Sequence, residues 1–308
     1  MTALKLGLVG LGKIARDQHL PSIERTPGAE LVAVASRSAQ AEGVANYPDL
    51  PTMLAERPDL DAIILCQPPQ VRYQTARLAL DAGKHVFLEK PPGVSVSEVE
   101  ALIALAVRRG VTLFTSWHSR YAAAVRQARD WLRDKKVRRA SIAWKEDVRH
   151  WHPGQAWIWE AGGFGVFDPG INALSILTGV VPEPIRLASA DLEIPTNRAA
   201  PIGAALGMDT ASGAPIDAVF DWRQTGPQTW EIEVETDRCV LLLSHGGNNL
   251  AIDGTPQPVG QEEEYPAMYR HFVELIASGR SDVDVRPLQL VADAFLCARI
   301  HPTDVFED

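Results

Sequence analysis

The feature that most restricts this chain is Gly10-Leu11-Gly12-Lys13-Ile14-Ala15, a glycine turn between the apolar run Lys5–Val9 and a helix-length stretch from Ile14 to Ile23. A strand that turns this sharply into a helix needs a first residue free of the usual backbone limits. It needs a second with no side chain, so that a diphosphate can approach the main chain, and a third small enough for helix and strand to touch. Gly10, Gly12 and Ala15 supply these in order. Amides at the helix start would then face the diphosphate. A plain strand-to-helix turn can carry the same letters, so the neighbours decide. Apolar or β-branched runs at Glu30–Ala35, Ala62–Leu65, His85–Leu88 and Thr112–Phe114 alternate with helix patterns at Thr52–Glu56, Gln70–Ala82 and Ser95–Arg109. Ser95 with Glu98 forms a capping box and Gly110 a stop. This alternation predicts an α/β fold whose residues 1–118 form a Rossmann domain, a doubly wound parallel sheet that binds a dinucleotide.

Beyond Trp117 the texture changes. A helix is expected over Ala122–Lys135 and another over Pro169–Leu177. Extended segments follow one another at Val137–Glu146, Ile185–Glu193, Pro201–Met208, Pro215–Trp222, Thr229–Thr236 and Cys239–Ser244, with a hairpin near Leu250 and Gly254. Strands without intervening helices indicate a C-terminal α+β domain over 119–308, built on an open, mainly antiparallel sheet. Helices at Tyr265–Ala277 and Pro287–Ala298 close the chain, and the segment 287–298 is a candidate to pack back on the Rossmann domain. The exposed face of such a sheet is where a homo-oligomer would form.

A net charge of −9 argues against a nucleic-acid partner, which calls for a basic surface. No apolar run approaches the roughly 20 residues of a membrane span, and the N-terminus lacks the look of a secretion signal, so no membrane partner and a cytoplasmic location are expected. Cys66, Cys239 and Cys297 are widely spaced in apolar surroundings and are expected to be buried and reduced.

About 20 residues beyond the glycine turn an NAD enzyme usually carries a carboxylate for the ribose 2′-hydroxyl. Here Ser36-Arg37 follows the strand that ends at Ala35. A hydroxyl and a guanidinium can bind a 2′-phosphate that a carboxylate would repel, so NADP is the favoured cofactor, with NAD allowed. Arg37 as a solvated loop cation is the plainer alternative.

The glycine turn, Gln67-Pro68-Pro69 and Glu89-Lys90-Pro91 together resemble the Gfo/Idh/MocA family of oxidoreductases over essentially the whole chain. Within it, the run Trp144-Lys145-Glu146-Asp147-Val148-Arg149 with Trp151-His152-Pro153-Gly154-Gln155 resembles the aldose 1-dehydrogenases acting on L-arabinose, D-galactose or D-fucose. The resemblance implies that Lys13, Ile14, Gln67, Pro68, Glu89 and Lys90 join Gly10, Gly12, Ser36 and Arg37 beside the cofactor. It also implies that Lys90 is catalytic and that the Lys90-Pro91 peptide is a candidate for the cis form. Read alone, Lys90 stands at a strand's C-terminal end, where it can take a proton, stabilise an alkoxide, or simply pair with Glu89.

The second cluster is Asp168-Pro169-Gly170-Ile171-Asn172. With a helix starting near Pro169, Asp168 would be its N-cap and Asn172 would lie one turn on, both facing one pocket. The family pattern has His where this chain has Asn172. Asn exchanges no proton, so Asn172 is expected to bind substrate while Lys90 or Asp168 carries the acid-base work. Glu146, His152, His118 and Trp151 complete the expected substrate site for a monosaccharide, whose apolar faces suit an aromatic wall such as Trp151, Trp157 and Trp159; for any single tryptophan, core packing is the commoner role. His150 beside His152 lacks a third ligand, so no metal is expected. The implied reaction is oxidation of a pyranose at the anomeric carbon to a lactone. Rival readings are a nucleotide-retaining glycosidase and a non-catalytic NADP-sensing regulator.

Overall fold

The structure is a computed structural model and describes residues 3–307. Its contacts divide the chain into two units: the residues up to His118 with Glu264–Val285, and Ser119–Glu263 with the residues from Arg286 onward.

The first unit begins with β1 (Leu4–Val9), a π-helical turn (Ala15–His19) and α1 (Leu20–Glu24). There follow β2 (Ala29–Ala35), β3 (Ala45–Tyr47), α2 (Leu50–Glu56), β4 (Ala62–Leu65), α3 (Pro69–Asp81), β5 (His85–Leu88), α4 (Val96–Arg109) and β6 (Leu113–Thr115). The sheet order β3-β2-β1-β4-β5-β6 is parallel throughout. Strand order reverses between β1 and β4, and ligands of such sheets bind at the C-terminal strand ends beside that reversal. Every residue of β4 is buried, as expected of a strand covered on both faces. At α4, Ser95 accepts the Glu98 amide while Glu98 reaches back to the Val94 amide, and Gly110 ends the helix in the left-handed conformation. The helix expected from Ile14 to Ile23 is present and runs unbroken from Lys13 to Glu24, with its Ala15–His19 stretch wound as a π-helix ahead of Pro21, which has no N–H to continue the ladder.

The second unit holds α5 (Val125–Leu132), β7 (Val137–Lys145), α6 (Val148–Trp151), α7 (Phe167–Val180), β8 (Ile185–Pro195), β9 (Gly203–Thr210) and β10 (Pro215–Asp221). It continues through β11 (Thr229–Thr236), β12 (Val240–Ser244), β13 (Asn249–Ile252) and β14 (Thr255–Gln257). Next in the chain come α8 (Glu264–Ala277), which belongs to the first unit, and then α9 (Arg286–Cys297) and β15 (Arg299–Thr303) of the second. The nine strands run β14-β13-β12-β11-β7-β10-β9-β8-β15. Only β10 with β7 and β15 with β8 pair in parallel, so the sheet is mixed and mainly antiparallel. Residues of β10 and β11 alternate buried and exposed, and α5, α7 and α9 pack on the covered side.

Three expectations are corrected. The helix that joins the first unit is α8, not the segment 287–298. Tyr269 and Phe272 of α8 are fully buried against Phe87 and His19, whereas α9 packs on α7 and β8. Cys66 and Cys239 are half-buried and Cys297, the last residue of α9, is exposed, although all three thiols are free. Finally, α7 starts at Phe167, which puts Asp168 inside the first helical turn rather than at its N-cap.

Candidate active site

A cleft of about 410 Å³ opens at the strand reversal, lined by the turn after β1, the end of β2 and the turn after β4. Gly10 has φ +93°, and a Cβ there would sit 3.0 Å from the Gln67 amide nitrogen, so glycine is required both for the conformation and for the approach of the two turns. At Gly12 an added Cβ would meet nothing within 4 Å, which leaves main chain open to a bulky group. Gln67 Oε1 is buried in this region without a hydrogen-bond partner. An open glycine backbone, an unused acceptor and the switch-point position fit a dinucleotide.

Of the expected cofactor residues, Gly10, Gly12, Ser36, Arg37, Gln67 and Pro68 line the cleft, with Arg37 exposed. Ser36 is fixed by donating its amide to Tyr47 O of β3. Lys13 pairs with Asp17 on the exposed side of the π-turn, and Ile14 is 37% exposed. Asp49, which caps α2 through the Thr52 amide, also lines the cleft.

Glu89 and Lys90 lie outside that lining, at the end of β5. The Lys90-Pro91 peptide is cis. The half-buried Lys90 donates its amide to Glu89 Oε2 at 2.8 Å and to Ser116 Oγ at 3.1 Å. The Glu89 carboxylate is buried, and its Oε1 lies 3.1 Å from His19 Nε2 and 3.0 Å from the Tyr265 hydroxyl that donates to it. His19 Nδ1 meets the Tyr269 hydroxyl at 2.7 Å. Burial alone would push the Glu89 carboxyl up, but the hydrogen bond and charge of His19 hold it down at about 2. Burial works against a charged His19 as well, yet Cys66 and Glu89 outweigh it and raise its pKa to about 10. The pair is therefore a buried ion pair, and Glu89 serves as an anchor under Lys90 rather than as a wall of the cleft. His118, also in this unit, stacks on Tyr265 with ring centroids 5.4 Å apart and reaches Glu264 Oε2 at 2.7 Å.

In the second unit, β7 ends at Lys145 and delivers Glu146, α6 delivers His152 just past its end, and the first turn of α7 delivers Asp168. His152 stands between the two carboxylates. Its Nε2 is 3.4 Å from Glu146 Oε1 and its Nδ1 is 3.6 Å from Asp168 Oδ2, where Nδ1 is buried and makes no hydrogen bond. Glu146 is held in turn by two indoles, Trp222 Nε1 at 3.3 Å and Trp230 Nε1 at 2.8 Å. The rings of Trp144, Trp230 and Trp151 stand in succession, 5.9 and 5.2 Å apart, and Trp151 at the outer end is 38% exposed. Asn172, one turn beyond Asp168 on α7, is half-buried. A carboxylate, an imidazole with an unused nitrogen and a second carboxylate beside aromatic faces can bind adjacent hydroxyls of a polyol.

Glu146, His152 and Asp168 are legible one by one in the sequence, while their mutual contact comes from the fold. Trp222 and Trp230 are not, because they follow or lie within strands where an indole reads as core. Trp159, a wall candidate by sequence, is buried against Trp222 with Arg198 over its ring, which is packing. No helix among the described residues is long and apolar enough to cross a membrane.

Residues 4–116 match the Gfo/Idh/MocA family, described as an oxidoreductase family with an NAD-binding Rossmann fold. Over its full length the chain is 44% identical to galactose 1-dehydrogenase of Pseudomonas fluorescens, covering 100% of both. Among solved structures it is similar to D-galactose-1-dehydrogenase from Rhizobium etli, with 53% identity, a TM-score of 0.96 and coverage of 100% of this chain and 99% of that one. The fold also matches the 3-ketoreductase KijD10 from Actinomadura kijaniata, solved with NADP and TDP-benzene, at 21% identity and a TM-score of 0.85 over 98% of this chain and 100% of that one.

Proposed function

The chain belongs to the Gfo/Idh/MocA family of oxidoreductases, and on that premise we propose that it is an aldose 1-dehydrogenase. In this reading it uses NADP, with NAD allowed, to oxidise the anomeric carbon of a galactose-type pyranose to the lactone. The observation that carries the proposal is the Glu146–His152–Asp168 array with its indole anchors, in a chain that aligns end to end with a galactose 1-dehydrogenase.

The bound nicotinamide supplies the acceptor for the hydride that leaves the anomeric carbon. The turn after β1 and the residues Ser36, Arg37, Gln67 and Pro68 hold that cofactor; the hydroxyl of Ser36 and the guanidinium of Arg37 favour a 2′-phosphate. Lys90 or Asp168 receives the proton of the 1-hydroxyl. Lys90 suits the task because its backbone is pinned just past the end of β5. Asp168 suits it because its carboxylate faces His152, which can share the charge. Glu146, His152 and Asn172 orient the remaining hydroxyls, and Trp151 with Trp230 offers a wall for the apolar face of the ring. D-galactose, D-fucose and L-arabinose share the ring configuration and differ in the substituent at C5, so one hydroxyl-binding array serves all three.

Purified protein mixed with NADP⁺ and a panel of aldoses, followed by absorbance of the reduced cofactor, tests this. Reduction with D-galactose, and with D-fucose or L-arabinose at differing rates, is the expected result. A panel in which none of these sugars yields reduced cofactor removes the proposal.

A further inference from the structure

Arg72 lies in the first turns of α3 and is 2% exposed. Pro68 and Pro69 set the helix start, and side chains in a helix tilt toward its N-terminus, so Arg72 points back at the turns that precede it in space. Its Nη1 donates to the carbonyl oxygens of Glu89 and Pro91, and its Nη2 donates to the carbonyl oxygen of Gln67. These carbonyls belong to two separate turns. The first, after β4, forms part of the nucleotide cleft; the second, after β5, carries Lys90. The Lys90 amide is tied separately, by Glu89 Oε2 and Ser116 Oγ.

We propose that Arg72 is a positioning residue that fastens the Gln67 turn to the Lys90 turn, so that the cofactor-binding edge and the lysine hold one fixed spacing. The proposal rests on the reading of Lys90 given above. A guanidinium is planar and presents five donors in fixed directions, which allows one buried side chain to bridge carbonyls on two segments. A lysine in its place has a single nitrogen and cannot span both turns with the same directions. An alanine leaves all three carbonyls without this donor.

Arg72→Lys and Arg72→Ala are compared with the wild type and with Arg77→Ala, a change on the exposed side of the same helix. The readouts are turnover of D-galactose with NADP⁺, thermal midpoint, and hydrogen–deuterium exchange of peptides covering the two turns. The expected result for Arg72→Lys is faster exchange confined to both turns with a thermal midpoint near that of the wild type. Its kcat should fall about ten- to a hundredfold, as expected when a reacting group is displaced by a fraction of an ångström to an ångström, while KM for the sugar changes little. Guanidinium ion added to Arg72→Ala should restore part of the rate, and Arg77→Ala should match the wild type.

A folded Arg72→Lys protein with unchanged kcat overturns the proposal. So does loosening spread evenly over the chain in both variants, which would make Arg72 a general support. If the wild type itself turns over none of the aldoses, the functional reading alone has failed, and confinement of the exchange changes to the two turns, or its absence, decides the role of Arg72.

Discussion

The two candidate regions are built in opposite ways. Around Gly10 and Lys90, what is held in place is main chain: a positive φ at Gly10, a Lys90 amide tied by the Glu89 carboxylate and the Ser116 hydroxyl, and buried anchors beneath. Around Glu146, geometry is set by side chains from separate segments: the end of β7, the residue after α6, the start of α7, Trp222 beyond β10 and Trp230 within β11. The first arrangement suits a ligand that is always the same, because backbone amides contact a diphosphate without reading anything else. The second suits a ligand whose identity must be read, since each hydroxyl meets a different side chain that can change without disturbing the rest.

This contrast is open to direct attack. The largest effect is expected at Lys90. Lys90→Ala should lower kcat by about 10²–10⁴-fold, the usual contribution of a positioned acid or base. Affinity for NADP⁺, measured by calorimetry, should be largely retained, because the phosphate-facing backbone is untouched. A variant that keeps its rate would break the view of the first region as a platform for one side chain.

Next in size is the buried pair beneath it. Glu89→Ala leaves His19 without its carboxylate, and removing one partner of a buried ion pair costs about 3–5 kcal/mol of folding stability. The pair also fixes how stability follows pH. Glu89, lowered from 4.5 to about 2, stabilises the fold fully above 4.5, and that contribution is lost as pH falls from there toward 2. His19, raised from 6.5 to about 10, stabilises it fully below 6.5, and that contribution is lost as pH rises from there through about 10. Thermal midpoints recorded against pH should therefore fall off on both sides of the interval between 4.5 and 6.5. A His19→Asn protein should lose the alkaline decline that this histidine causes; a decline of unaltered steepness would show that other groups produce it.

A smaller change is expected in the second region. Glu146→Gln offers one oxygen where two indoles each need an acceptor. Hydrogen bonds to a charged group contribute about 1.5–3 kcal/mol, so KM for the sugar should rise roughly ten- to a hundredfold with NADP⁺ affinity unchanged. An equal loss of cofactor affinity would blur the division of labour between the regions. The smallest effect belongs to Arg37→Ala, which should weaken NADP⁺ by roughly tenfold, the worth of one charge-assisted contact at an exposed site, and leave NAD⁺ as it was. Equal weakening of both nucleotides would point to a guanidinium that contacts the adenine instead.

Legibility followed the range over which each constraint acts. The capping residues of α4, the fully apolar β4 and the Gly10 turn are specified within a few neighbours, and the structure has them where the pattern places them. β3 was missed because three residues, Ala45–Tyr47, show no periodicity of their own and become a strand by pairing with β2. β15 was missed for the same reason: Arg299–Thr303 is largely exposed and is extended because β8 presents a free edge to it. Arg72 falls within the helix pattern Gln70–Ala82, and nothing nearby in the chain says that carbonyls from Gln67, Glu89 and Pro91 will meet it.

By itself, then, the order of residues determined the dinucleotide turn, the alternation that makes the first sheet parallel, and the types of side chain available for chemistry. Backbone conformation and hydrophobic period act over one to four residues, and a linear string displays them. Tertiary structure alone decided that Glu146, His152 and Asp168 become neighbours, that Trp222 and Trp230 hold Glu146 in place, and that the helix Glu264–Ala277 supplies Tyr265 and Tyr269 to the anchor under Lys90. Those contacts join residues from six positions apart, Glu146 to His152, to 250 apart, His19 to Tyr269. They exist because strand pairing and apolar burial bring their segments together, and a local pattern holds no record of that.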